Sequence, residues 1–203
     1  MPCMTKKSQY NTSEQKNDLV LFQMTGKRIS LDIETTGLNF QSEKFPDEIL
    51  QVSIIDGEGQ CLLNRYFKPY HHKSWPDAEK INHISPEMVA NAPYLHEIAP
   101  QIKRILQSAE TIIGYNIVGF DLPFIEQAIG PLALTANIID VMELFSPIYG
   151  EWDESRNTYK RKSLVACSEY FGIDFTPHNA LEDARATLKC FDAITNYSQN
   201  HCE

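Results

Sequence analysis

The stretch that decides the fold places two carboxylates at the end of an apolar strand: Asp32-Ile33-Glu34-Thr35-Thr36-Gly37-Leu38. The run of residues 28–31 before it predicts a buried β-strand. Because side chains alternate across a strand, Asp32 and Glu34 point to one face and Ile33 points to the other. Like charges sharing a face repel each other, and a bound divalent cation relieves that repulsion. The stretch therefore predicts a metal site, with an exposed Asp/Glu pair at a strand end as the alternative.

A further acidic residue follows a second apolar strand. Residues 111–115 predict a strand that leads into the loop Asn116-Ile117-Val118-Gly119-Phe120-Asp121. Pro123 is typical of the first turn of a helix, where a backbone N–H has no helical partner. We therefore expect Asp121 at the start of that helix. Helix capping alone is the alternative role for this residue, because Asp is a common N-cap.

A third cluster lies near the end of the chain: His178-Asn179-Ala180-Leu181-Glu182-Asp183. Asn179 and Glu182 match a capping box, which predicts a helix from about Ala180. The residue before the cap and the fourth helical residue are neighbours in this motif, so His178 and Asp183 are expected to meet side by side. An imidazole in this position suits a general base. A solvated His near an Asp is the alternative.

In this order the three clusters resemble the DEDDh (DnaQ-like) family of 3′–5′ exonucleases, which includes proofreading exonucleases, RNase T and oligoribonuclease. That family carries Asp-x-Glu on its first strand, an Asp at the start of a middle helix, and His-x4-Asp near its last helix. The five positions are filled here by Asp32, Glu34, Asp121, His178 and Asp183. The resemblance spans about residues 27–197. It implies an α/β protein with the RNase H-like fold, a five-stranded mixed sheet flanked by helices.

The resemblance also implies a chemistry. A metal-dependent exonuclease of this family hydrolyses phosphodiester bonds at 3′ ends and releases 5′-mononucleotides with two divalent metal ions, Mg²⁺ or Mn²⁺. Asp32, Glu34, Asp121 and Asp183 are the implied metal ligands, with Asp32 bridging both ions, and all four count with His178 as catalytic residues. His178 is the implied general base.

Substrate contacts are expected around the first motif and before the middle helix. The backbone of Thr35, Thr36 and Gly37 and the side chain of Leu38 are implied to hold the terminal nucleotide. Phe120 is a candidate for stacking on a base and Asn116 for contacting substrate, although a core aromatic and a loop-ordering residue are the alternatives. One departure from the family is that His83 occupies a position where many members carry Gly, which puts nucleotide contacts there in doubt.

Composition sets the class of protein. A chain of 203 residues suits one domain, and we expect a polar, flexible tail over residues 1–26 and a single exonuclease domain over 27–203. No apolar run approaches the roughly 20 residues of a membrane span, so no membrane association is expected. The five cysteines are scattered and odd in number, which predicts reduced thiols and a cytoplasmic protein.

Net charge is −9, which argues against gripping long duplexes through a broad basic surface. It is compatible with an exonuclease, because metal ions offset several acids and a strand end needs only a local basic groove. The obvious basic cluster is Lys160-Arg161-Lys162, for which substrate contact and a solvated helix start both stay open.

The periodicity predicts strands over 28–33, 49–56 and 61–68, the last two joined by a Gly-containing hairpin turn over 57–59, so that the three form a meander. Helices are expected over 86–91 and 94–108, and a strand over 111–115. A helix over 122–128, a strand over 137–141 and helices over 163–171 and 180–197 follow. Residues 147–162 are expected to form a long polar loop.

The leading hypothesis is a stand-alone exonuclease acting on 3′ ends of single-stranded DNA. The first rival is a 3′–5′ exoribonuclease of the same fold, similar to RNase T or oligoribonuclease. The pair Thr35-Thr36 favours the DnaQ-like side, because oligoribonucleases usually carry Met in place of one Thr. The second rival is a catalytically silent nucleic-acid-binding module, which is disfavoured because all five residues are present. A homodimer fits the sequence, and association with a DNA polymerase subunit is compatible but not indicated.

Overall fold

A five-stranded mixed sheet forms the centre of the computed structural model, which describes residues 27–42 and 44–201. The strands lie in the order β3-β2-β1-β4-β5. Their bounds are β1 Arg28–Thr35, β2 Ile49–Asp56, β3 Cys61–Tyr66, β4 Thr111–Gly114 and β5 Asn137–Asp140. The first three form an antiparallel meander, whereas β4 and β5 run parallel to β1. The predicted meander and mixed sheet are therefore confirmed.

Helices cover both faces of the sheet. They are α1 Pro76–Asn82, α2 Pro86–Val89, α3 Leu95–Gln107, α4 Asp121–Ile129, α5 Val141–Tyr149, α6 Leu164–Phe171 and α7 Ala180–His201. Apolar residues of α3 and α4 share one core cluster with β1, and apolar residues of α5, α6 and α7 form a second cluster on the opposite face. This layering places the amino ends of α4 and α7 close to β1.

The alternation along β1 decides which face carries chemistry. Its odd-numbered residues are buried in the cluster shared with α3 and α4: Ile29, Leu31 and Ile33. On the other face, the Ser30 hydroxyl donates a hydrogen bond of 2.9 Å to the carbonyl of Ala184 in α7. Asp32 and Glu34 follow Ser30 at a spacing of two residues and therefore face the first turns of α7.

Two helices were not predicted, and each has a physical reason. Helix α1 has one buried residue, Asn82, so it carries no apolar periodicity. Helix α5 runs through Pro147, and the prediction that a loop begins there was wrong. Its buried Val141, Met142 and Phe145 hold the helix against the core, which compensates for the hydrogen bond that proline removes.

The remainder of the predicted long loop is also more ordered than expected. Gly150 ends α5 in the left-handed conformation at φ 81°, and a short hairpin follows, with strands β6 (Trp152–Asp153) and β7 (Thr158–Tyr159). The other predicted elements are found with ends that differ by up to a few residues. Within the described ranges, no helix is long and apolar enough to cross a membrane. The predicted tail over residues 1–26 lies outside the described residues.

Candidate active site

Three carboxylates from distant parts of the chain converge beside β1. Oxygen atoms of Asp32, Glu34 and Asp183 all lie within 4.8 Å of one another. Asp32 and Glu34 are placed by the alternation of β1, and Asp183 is placed by the first turn of α7, which packs on that face. The expected grouping of these residues is therefore found in the structure.

Asp121 reaches the same place from the opposite side of the sheet. It is the first residue of α4 and is 2% exposed, and its Oδ1 accepts a hydrogen bond of 3.1 Å from the backbone N–H of Ile33. The pairing of β1 with β4 ends at Ser30, so β4 does not use this N–H. Asp121 therefore lies between the two strands where they diverge, at the helix start that the sequence predicted.

Burial and mutual repulsion disfavour ionisation of all four carboxylates. Burial, then the charges of Asp121, Asp183 and Glu34, raise the pKa of Asp32 well above its ordinary value. Burial, then the charge of Asp183, raises the pKa of Glu34 to about 8. Burial raises the pKa of Asp121 to about 8 and that of Asp183 to about 7. A group of carboxylates that resist ionisation without a counter-charge is a suitable cation site.

One oxygen of Asp183 gives an independent test of that assignment. Its Oδ2 accepts a hydrogen bond of 3.1 Å from the backbone N–H of His178. Its Oδ1 is buried and has no hydrogen-bond partner among the described residues. A buried carboxylate oxygen without a partner is costly, and a divalent cation would satisfy it. The donor set consists of oxygens alone, which is the set that Mg²⁺ and Mn²⁺ prefer.

His178 lies at the edge of the cluster, but not in the predicted manner. Asn179 does cap α7, because its Oδ1 accepts hydrogen bonds from the N–H groups of Leu181 and Glu182. The expected pairing of the His178 imidazole with Asp183 is replaced by the backbone contact. His178 is exposed at φ 68°, in a left-handed conformation that His adopts more readily than most residues. Its ring makes no hydrogen bond to the described residues and is free to face a substrate.

The segment after β1 is held by residues that the sequence did not single out. Thr36 is buried, and its hydroxyl contacts Asp47 Oδ1 at 3.0 Å and the N–H of Glu48 at 2.9 Å. A Cβ on Gly37 would lie 2.5 Å from the Asp47 carboxylate, so any larger residue would displace the side chain that holds Thr36. Leu38 is 81% exposed, which leaves its side chain available to a ligand.

Asn82, at the end of α1, supports the same segment from the other side. Its Nδ2 donates a hydrogen bond of 3.1 Å to the carbonyl of Thr35, and its side chain offsets part of the rise that burial causes in the pKa of Glu34. The next residue, His83, ends α1 in the left-handed conformation at φ 57°. Glycine adopts that conformation without strain, so the same backbone would accommodate the Gly expected from the resemblance.

The loop before α4 is fixed by a buried carboxylate. Asp140, at the end of β5, accepts hydrogen bonds from the N–H groups of Asn116 (2.9 Å), Val118 (3.4 Å) and Met142 (3.2 Å). Asn116 itself has φ 59°. Phe120 packs against Phe124 with ring centroids 4.8 Å apart and is partly buried at the core. The structure thus favours a packing role for Phe120, while the contacts proposed for Asn116 stay a prediction.

Three residues support the site without having been singled out in the sequence: Asp47, Asn82 and Asp140. The first two have no recognisable signal in the sequence. Asp47 lies in a polar segment, and Asn82 ends a helix without apolar periodicity. Asp140 follows the apolar run of β5 just as Asp32 follows that of β1, so its position at a strand end was the one available clue.

Comparison with known proteins agrees with this geometry. The sequence profile of the RNase T exonuclease family matches residues 29–191. The chain is 29% identical over 171 residues to a PolC-type DNA polymerase III of Staphylococcus saprophyticus. It is 27% identical over 174 residues to the PolC-type polymerase of Caldanaerobacter subterraneus. These matches cover 82% and 83% of this chain but 11% of each relative, so the chain spans about a tenth of their length.

Two solved structures show the same fold. Exonuclease X in complex with 5′ overhanging duplex DNA superimposes with a TM-score of 0.60 at 21% identity, covering 84% of this chain and 92% of that one. Escherichia coli exonuclease I in complex with a dT13 oligonucleotide gives a TM-score of 0.68 at 19% identity, covering 86% and 42%. The predicted RNase H-like fold is confirmed by this likeness.

Proposed function

The chain belongs to the RNase T exonuclease family, and from this premise we propose that it hydrolyses phosphodiester bonds from the 3′ end of single-stranded DNA and releases 5′-mononucleotides. The observation that carries the proposal is the convergence of four carboxylates from β1, α4 and α7, with Asp121 buried, the other three partly buried and one buried oxygen of Asp183 unsatisfied. A catalytically silent module would have no need to maintain so costly a cluster.

In this proposal Asp32, Glu34, Asp121 and Asp183 hold two divalent metal ions, Mg²⁺ or Mn²⁺. Bound ions of this kind supply a water of lowered pKa and neutralise charge that develops on the phosphate. His178 accepts the proton of the attacking water, and imidazole is the side chain that most often serves as a general base in enzymes. Asp183 positions His178 through its backbone N–H, which leaves the ring exposed to substrate.

The terminal nucleotide is proposed to bind at Thr35, Thr36, Gly37 and Leu38. Asp47 and Asn82 hold this segment in place, and the exposed Leu38 side chain packs on the base. Asp140 orders the loop of Asn116 on the other side of the site.

DNA is favoured over RNA because the similar structures of exonucleases X and I were determined with DNA and the similar curated proteins are DNA polymerases. The alternative is a 3′–5′ exoribonuclease, since discrimination of the sugar depends on contacts to a single 2′-hydroxyl. The match to a segment of PolC-type polymerases makes a polymerase a candidate partner. We further propose that residues 27–203 act as one exonuclease domain; a homodimer and a cytoplasmic location stay predictions.

The test is hydrolysis of matched 5′-labelled single-stranded DNA and RNA, each incubated with Mg²⁺, with Mn²⁺ or with chelator. We expect a ladder that shortens from the 3′ end, faster on DNA, and that disappears with chelator. A faster reaction on RNA would replace the DNA assignment by the exoribonuclease.

Two variants separate the site from the fold. Asp32→Asn should abolish hydrolysis, whereas Asp77→Asn, on the exposed side of α1, is the matched control and should leave it intact. If the wild-type protein binds Mn²⁺ yet cleaves neither polymer, the proposed function is wrong.

A further inference from the structure

Five aromatic side chains form a surface near the active site that neither the proposed reaction nor the core uses. We call it the aromatic face; it comprises Phe45, Tyr70, His71, Tyr94 and His96. Tyr70 and Tyr94 are stacked, with ring centroids 4.3 Å apart at an angle of 11°, and the rings of His96 and Tyr70 are 5.8 Å apart. Phe45 lies 6.1 Å from His71. Phe45 is 63% exposed and Tyr70 48%, so flat apolar rings are left open to solvent.

Two consecutive residues connect the aromatic face to the nucleotide-binding segment. Asp47 holds Thr36, as described above. Its neighbour Glu48 accepts hydrogen bonds from the backbone N–H groups of Tyr70 (2.6 Å), His71 (2.9 Å) and His72 (3.0 Å). The adjacent residues Asp47 and Glu48, just before β2, therefore hold both the nucleotide-binding segment and the loop that carries Tyr70 and His71.

A cleft lies between the aromatic face and α4, the helix that begins at Asp121. Its lining includes Asp47, Lys68, Tyr70 and His96 together with Phe124 and Gln127 of α4. Phe124 lies one turn beyond Asp121 on the same helix. The cleft thus brings residues of the aromatic face together with Asp47, which holds the nucleotide-binding segment.

Charge on this surface suits a polyanion. Lys44, Lys68 and Lys73 have no acidic partner among the described residues, and the ammonium of Lys68 lies 6.0 Å from the ring centroid of Tyr94. Glu48 accepts hydrogen bonds from the three amides and Glu97 from the N–H of Tyr94 at 2.7 Å, and neither forms an ion pair with these lysines. The three ammonium groups are therefore available to pair with phosphates.

The hairpin of β6 and β7 offers a contrast. It also exposes aromatic rings, Trp152 at 42% and Tyr159 at 37%, but its cations are neutralised. Lys160 and Lys162 both pair with Glu151, and Arg161 pairs with Glu143. The hairpin therefore lacks the unpaired positive charge that accompanies the aromatic face.

We propose that the aromatic face stacks the bases of nucleotides that precede the cleaved bond, so that a single strand of several nucleotides is held at both sites. The proposal rests on the proposed function, because the terminal nucleotide at Leu38 sets the direction of the strand. Stacking on aromatic rings tolerates any base, which suits an enzyme that degrades a strand step by step. Substrates too short to reach the aromatic face gain no binding affinity from it.

The test is a comparison of binding to a labelled oligothymidylate decamer and to the dinucleotide by fluorescence anisotropy. All proteins carry Asp32→Asn so that the strand is not hydrolysed. Tyr70→Ala and, separately, Phe45→Ala should weaken decamer binding by at least about fivefold, the lower end of what loss of one base stack removes. Dinucleotide binding should change by less than about twofold. Phe45 is so exposed that its truncation keeps the test valid even if Tyr70→Ala fails to fold.

Two controls make the result specific. Trp152→Ala removes a ring from the hairpin whose exposure is similar to that of Tyr70, and it should leave both affinities unchanged. Tyr70→Phe keeps the ring and loses only the hydroxyl that contacts His96, so it should bind the decamer like the parent. If Tyr70→Phe is as weak as Tyr70→Ala, stacking is not the cause.

The proposal is overturned if the parent binds the decamer no better than the dinucleotide, or if the alanine variants weaken both equally. It is also overturned if Tyr70→Ala converts a dimer into a monomer by light scattering without changing the ratio of affinities, because the aromatic face would then be a contact between two copies of the chain. Binding is measured independently of hydrolysis, so failure of the proposed exonuclease activity would be recognised separately.

Discussion

Replacing Glu34 by Gln should stabilise the metal-free protein at neutral pH, even though it removes a proposed metal ligand. Glu34 is packed beside Asp32 and Asp183, and burial raises its pKa from the ordinary value of 4.5 to about 8. At pH 7 the unfolded chain carries an ionised Glu34, whereas the folded protein holds it protonated. Folding must therefore take up a proton, and that uptake becomes less favourable as the pH rises.

The size of this effect follows from the two pKa values. Below pH 4.5 Glu34 is protonated in both states and does not lower the free energy of unfolding. As the pH rises from 4.5 to about 8, the free energy of unfolding falls, because only the folded protein keeps the proton. Each pH unit in that interval costs about 1.4 kcal/mol, which gives a penalty of about 3 kcal/mol at pH 7 and about 1 kcal/mol at pH 5. Glutamine has no such penalty, since its side chain is neutral in both states.

Urea unfolding in the presence of chelator measures the difference. Glu34→Gln should raise the free energy of unfolding by about 3 kcal/mol at pH 7 and by about 1 kcal/mol at pH 5. Glu58→Gln is the matched control, because Glu58 is exposed in the turn between β2 and β3, and it should change stability by less than about 0.5 kcal/mol at either pH.

Saturating Mg²⁺ or Mn²⁺ should remove the higher free energy of unfolding of Glu34→Gln, because a bound cation stabilises the ionised wild-type cluster and not the variant. The reasoning is refuted if Glu34→Gln is no more stable than wild type at pH 7 in chelator. An equal gain at pH 5 and pH 7 would also refute it, since a gain without pH dependence does not arise from ionisation.

The remaining predictions test the supporting structure of the site. His178→Asn should lower kcat by about 10²–10⁴-fold. The thermal midpoint should not change, because Asn also adopts the left-handed conformation readily and the His178 ring makes no hydrogen bond to the described residues. Full activity would exclude His178 as the base. Asp140→Ala should lower the free energy of unfolding by about 2 kcal/mol or more, because three backbone amides lose their acceptor. A loss below about 0.5 kcal/mol, measured by urea unfolding, would contradict this prediction. Gly37→Ala forces Asp47 to move and should therefore raise KM more than it lowers kcat in steady-state assays. An unchanged KM would contradict the assignment of this segment as the nucleotide site.

The sequence predicted the parts of the site that depend on local patterns. Alternation along β1 placed Asp32 and Glu34 on one face, Pro123 indicated the helix that begins at Asp121, and the cap at Asn179 was found as expected. Such patterns act over a few residues and leave a signature in the sequence. The hydrogen bond between His178 and Asp183 was predicted as a contact, but its donor is the backbone N–H, because the left-handed conformation of His178 carries the ring outward.

The elements that escaped prediction lack local signals. Helix α1 is anchored by a single buried residue, Asn82, and α5 continues through Pro147 because its apolar side is packed against the core. Asp47 is important only because Thr36 and Gly37 lie beside it in space. Each of these outcomes depends on contacts between segments that the order of residues alone does not reveal.

By itself, then, the sequence determined the fold class, the elements that carry the acidic residues and, through resemblance, the family. Only the tertiary structure brought Asp32, Asp121 and Asp183 together, although they are separated by scores of residues along the chain. Only burial in that cluster raised their pKa values, and only folding placed the aromatic face beside the cleft. The reason is physical: periodicity and capping are short-range properties of a chain, whereas desolvation and repulsion depend on distances that packing alone sets.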